Sequence, residues 1–287
     1  MTKNITPFTI DTSCATTVTE AALGIAEGIS PGLDQSFIRS VFSDCENLFS
    51  GNHPDYQAND LPYHDFHHTL QVSVAFMDLF VARQYSSGFP PFSHRQFELG
   101  LTAALYHDSG YLKLRSDREG TGAKYTFCHV LRSCALAASH LPTRGLKIEE
   151  VDIVLGAIRC TGPSTTGMNL RFNRNDDHVL ASMVATADYL GQMAADDYPD
   201  ELGLLFQEFA ESDAFRCLPA PQRLFKSASH LVGESTAFWE KVVKPKFDHD
   251  FLGVYRFLNQ PDGRNRYIDK IEYNLDVIAQ RHAAAKN

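Results

Sequence analysis

Apolar residues recur in this chain at three- and four-residue intervals nearly from end to end, and that period admits helices and little else. In SFIRSVFSDCENLF (36–49), Phe37, Ile38, Val41, Phe42, Cys45, Leu48 and Phe49 make one broad stripe. Further helices are predicted over 68–85, 93–108, 127–141, 147–158, 177–195, 200–211 and 266–285. Ser93 stands where a helix cap is needed, and Gly110 is expected to end that helix in the left-handed conformation. No run alternates cleanly enough to read as a strand. Segments 51–63, 112–126 and 161–177 read as loops, and no internal repeat or low-complexity linker separates domains. The expectation is an all-α fold, with residues 1–17 disordered and one helical domain over 18–287.

Composition narrows the partners. At 44% hydrophobic residues the chain can build a sizeable core. Its formal charge of -9 argues against a nucleic-acid polymer, because such binders gain affinity by neutralising phosphates. A small phosphorylated ligand stays compatible, since bound metal ions supply positive charge locally. The six cysteines form no C-x-x-C pair and lie in apolar helix-like segments, which fits reduced thiols and a cytoplasmic location. The start, MTKNITPFTIDTSC, has no apolar signal core. No run approaches the roughly 18 apolar residues of a membrane span, so no membrane partner is expected.

Three places break the apolar pattern with groups that ligate metals. LPYHDFHHTLQV (61–72) places His64, His67 and His68 around Asp65, ahead of a helix. This is either a wet, imidazole-rich turn or half of a metal site. ALYHDSGY (104–111) puts His107 and Asp108 side by side at the end of an apolar helix, where both need partners. SMVATADYLGQM (182–193) carries Asp188 as its single charge, which calls for a cap, a salt bridge or a metal. Imidazole with carboxylate suits a divalent ion of the Zn, Mn, Fe or Mg type.

Together these segments resemble the H…HD…D signature of the HD-domain superfamily of metal-dependent phosphohydrolases, over roughly 60–195. YHDFHHTLQV is similar to the YH-N-x-x-H-x-x-x-V segment of class I cyclic-nucleotide phosphodiesterases, and VATADYL to that family's ADL segment. The resemblance implies a helical bundle with flanking helices and a catalytic centre. In it, His68, His107, Asp108 and Asp188 hold one divalent metal. Asp108 reaches a second and so shares in catalysis, and His64 acts as the general acid. His129, 21 residues after Asp108, lies where many HD proteins carry a metal- or water-binding histidine. The implied partner is a small phosphoester, a cyclic or linear nucleotide-like molecule.

The chain departs from that pattern at Asp65, where the family has Asn, and at Tyr111, where it has a second His. Asp65 is read as a cap or as a carboxylate orienting a ligand. No glutamine matches the family's purine clamp near FWEKVVKPKF (238–247). Three alternatives remain beside the phosphodiesterase: an HD-type nucleotide phosphomonoesterase, a di-iron HD oxygenase, and a degenerate nucleotide-binding regulatory module.

Overall fold

A computed structural model of the chain describes residues 10–162 and 171–285. It is all-α: α1 (Ala15–Ile29), α2 (Ser36–Phe49), α3 (Phe66–Gln84), α4 (His94–Tyr106), α5 (His129–His140), α6 (Ile148–Cys160), α7 (Asn175–Met193), α8 (Tyr198–Phe215), α9 (Ala228–Phe238) and α10 (Arg266–Ala284). Among the described residues extended pairing is limited to one isolated bridge, Tyr56 with Leu114. None of these helices is long and apolar enough to cross a membrane.

The core runs from Val18 in α1 to Ile278 in α10 as one cluster of packed apolar side chains. Its axis is the pair α3 and α7. Both helices are buried on nearly every side, so their sequences lack a polar stripe and look unlike ordinary surface helices. Gly191 lets them touch backbone to backbone, since a Cβ there would stand 2.9 Å from Gln71 C and Val72 N. Ser93 caps α4 through a reciprocal bond pair with Gln96, as its position implied.

Two helices escaped the periodicity. α1 buries Val18, Ala22, Leu23, Ile25 and Ala26, a short stripe diluted by threonines and glycines. α9 buries only Leu231 and Ser235, then widens into π-helical turns at Trp239–Val243 and Lys246–Asp250 around Pro245, which has no N–H to donate. Of the segment 1–17 expected to be disordered, 1–9 lies outside the described residues, while α1 opens at Ala15 and Thr12 hydrogen-bonds to His67. Of the loop expected over 161–177, residues 163–170 lie outside the described residues.

Gly110 corrects a second expectation. It is not left-handed. The chain leaves α4 through His107 and Asp108 into a 3₁₀ turn, Ser109–Tyr111. Glycine is required there by proximity: a Cβ would overlap the His129 carbonyl oxygen and lie 2.6 Å from Ser133 N. The turn is pinned to α5 on both sides, since Ser133 Oγ accepts from Gly110 N at 2.8 Å and donates to the His107 carbonyl at 2.5 Å.

Candidate metal centre

The centre forms where the start of α3, the end of α4 and the middle of α7 meet. Asp65 is the N-cap of α3, its Oδ1 accepting from His68 N at 2.8 Å. This supports the capping role expected of it and fixes the turn that carries the histidines. His67 leaves on another side, with Nε2 2.9 Å from Thr12 Oγ1. His68 points inward and is buried.

At the end of α4, His107 is almost fully buried and donates Nδ1–H to the Ala104 carbonyl at 2.7 Å. In the neutral ring that bond selects the tautomer whose Nε2 carries a free lone pair. Asp108 Oδ2 stands 3.5 Å from His68 Nε2 and 3.3 Å from His107 Nε2. Asp188 Oδ1, from α7, stands 3.4 Å and 3.5 Å from the same two nitrogens. Buried His68 Nε2, His107 Nε2 and Asp108 Oδ2 have no hydrogen-bond partner.

Those distances are informative. A charge-assisted N–H···O bond closes to about 2.7–2.9 Å. Donor atoms about 2.1 Å from one shared cation stand roughly 3.0–3.4 Å apart. His68, His107 and Asp188 offer ligand atoms all within 4.8 Å of one another, so this group can hold a metal ion, and Asp108 lies against the same imidazoles. Two imidazoles and two carboxylates without a thiolate suit Zn, Mn or Fe.

The electrostatics set the charge balance of the cluster. Burial opposes ionisation of Asp108 and Asp188, yet the His107 imidazole beside them outweighs it and holds both carboxyls well below the usual range. Burial likewise disfavours a charged His107, and the two carboxylates overcome it and raise its pKa. The two carboxylates are thus balanced by the proton on His107, and a metal ion bound at Nε2 would displace that proton.

His129 fastens Nδ1 to the Thr126 carbonyl at 2.7 Å and brings Nε2 to 3.5 Å from Asp108 Oδ1. Asp108 therefore faces the His68–His107 pair with one oxygen and His129 with the other. His64 stands beside the group, its ring centroid 5.8 Å from that of His68. Tyr111 is buried and lies flat against both His64 and His129.

One residue of the site was missed in the sequence. Glu208, on α8, is buried; its Oε2 lies 2.5 Å from His64 Nδ1, and its Oε1 accepts from Tyr63 N at 2.8 Å and His64 N at 3.3 Å. Burial pulls the His64 pKa down, but the charge and hydrogen bond of Glu208, with Asp108 and Asp188 behind, raise it overall. The available signal was weak: Glu208 lies in LLFQEFAE, where an acid every few residues reads as the wet face of a helix.

A scan against models of protein families finds no match, and a search of curated proteins finds none either.

Proposed function

We propose that this protein is a metal-dependent phosphohydrolase, acting as a phosphodiesterase on a small, nucleotide-like phosphoester. The observation that carries this reading is the convergence of Asp108 and Asp188 on the His68 and His107 imidazoles, with His68 Nε2, His107 Nε2 and Asp108 Oδ2 buried and without a hydrogen-bond partner. The H…HD…D resemblance supports the reaction class, and the His64–Glu208 pair supplies the second requirement of ester cleavage, a proton for the departing oxygen.

Four side chains would hold one divalent ion, and Asp108 Oδ1 with His129 would offer ligands to a second. Such an ion supplies Lewis acidity toward phosphoryl oxygens and makes water a better nucleophile. The chain's own groups do the rest. As water oxygen bonds to phosphorus and the P–O ester bond breaks, His64 gives a proton from Nε2 to the leaving oxygen, and the attacking water releases its own proton to solvent. Nδ1 is committed to Glu208, whose carboxylate favours the charged ring and fixes its direction.

The test is hydrolysis of 3′,5′-cyclic AMP, bis(4-nitrophenyl) phosphate and 5′-AMP by Mn²⁺-loaded protein. Cleavage of the diesters but not of 5′-AMP supports the reading. Release of phosphate from 5′-AMP alone replaces it with the phosphomonoesterase. No cleavage of any of the three by metal-loaded protein contradicts it.

A further inference from the structure

Tyr111 is 1% exposed, and its ring carries two imidazoles. His64 lies at 4.6 Å between centroids with planes 22° apart, and His129 at 4.4 Å with planes 10° apart. The centroids of His64 and His129 are 6.4 Å apart, too close for a straight three-ring pile, so the phenol ring is a common wall for both. Each imidazole is also tied by one nitrogen, His64 to Glu208 and His129 to the Thr126 carbonyl. A single hydrogen bond sets where one nitrogen points and leaves the ring free to rock about that direction. A flat aromatic contact removes the rocking, and it needs a face rather than a polar group.

We infer that Tyr111 is a positioning residue: braced by His129, its ring fixes the plane of the His64 imidazole for proton delivery to the leaving oxygen. The inference rests on the phosphodiester reading. It also gives the departure from histidine at 111 a purpose. Histidine would supply a smaller face and a competing nitrogen, whereas tyrosine supplies a broad wall.

Acting through the acid leaves a signature. The 4-nitrophenolate of bis(4-nitrophenyl) phosphate departs without a proton, whereas the ribose alkoxide of 3′,5′-cyclic AMP needs one. In Mn²⁺-loaded protein, Tyr111→Leu is expected to lower kcat on the cyclic nucleotide at least about 10-fold more than on the nitrophenyl diester, with KM little changed. Tyr111→Phe, which restores the face without the hydroxyl, recovers most of the loss. Equal losses on both substrates, or Phe as damaging as Leu, overturn the inference. Tyr111→Met fills similar volume without an aromatic face and serves if Leu does not fold. Wild type inactive on both diesters would defeat the phosphodiester reading instead. The positioning claim is then decided by ¹³C relaxation of the His64 ring: loosening in Leu or Met but not in Phe supports it, and unchanged rigidity in all three overturns it.

Discussion

At the scale of single residues, His107 presents Nε2 because Nδ1 is already bound to the Ala104 carbonyl, and His129 repeats the device with Thr126. His64 differs, since its bound nitrogen meets a carboxylate rather than a carbonyl, which favours the charged ring. Its loss should therefore be graded by leaving group. His64→Ala is expected to cost about 10²–10⁴-fold in kcat on a cyclic nucleotide and far less on a nitrophenyl ester. Equal losses, measured side by side, would remove His64 from the proton path. Glu208→Gln keeps the shape and drops the charge, and a loss of about 10-fold on the cyclic nucleotide is expected in the same assay. The inward-facing residues were legible because each broke an apolar pattern: His107 and Asp108 at a helix end, Asp188 alone among alanines and methionines. Glu208 was not, because its neighbours Glu201 and Glu211 make an acidic residue on α8 look ordinary.

At the scale of elements, the flank of the centre depends on the 3₁₀ turn after α4 packing on α5 and on the 112–126 loop holding α8. Thr121 Oγ1 donates to Glu211 Oε2 at 2.7 Å and Gly122 N to Asp60 Oδ1 at 2.8 Å, so the 112–126 loop fastens α8 beside the histidine turn. Gly110→Ala should push α5 off the 3₁₀ turn, costing about 1–3 kcal/mol in denaturant unfolding and displacing His129. An unchanged midpoint would contradict the tight contact. Nothing in the sequence announced that contact, because glycine after a helix reads first as a left-handed cap. The α3–α10 seam carries a titratable group, Asp78, whose Oδ2 accepts from Tyr267 Oη at 2.6 Å. Burial, only partly countered by that bond, raises its pKa from the ordinary 3.8 to about 7. The folded chain then binds this proton more tightly than the unfolded one. The resulting stability is full below about pH 4 and is lost as pH rises through about 7. Asp78→Asn should abolish this slope and gain roughly 2–4 kcal/mol at pH 8. Urea unfolding at pH 4, 6 and 8 measures it; a slope that survives the substitution would contradict the assignment.

At the scale of the whole molecule, three helices distant in sequence meet at four side chains with opposing demands. A bound cation ties α3, α4 and α7 together and so should stabilise the entire fold. About 2.7 kcal/mol is expected at a hundredfold excess over Kd, read as a rise in the thermal midpoint when Mn²⁺ is added. The helical class was legible in the apolar period because it repeats in almost every segment. α1 and α9 were not, because their buried faces are small or sparse and tertiary packing rather than pattern holds them. The most direct test of the central claim is elemental analysis of purified wild type beside Asp108→Ala. At least one equivalent of a transition metal in wild type and little in the variant is the predicted result. Metal-free wild type, with a thermal midpoint unmoved by added Mn²⁺ or Zn²⁺, would contradict the account.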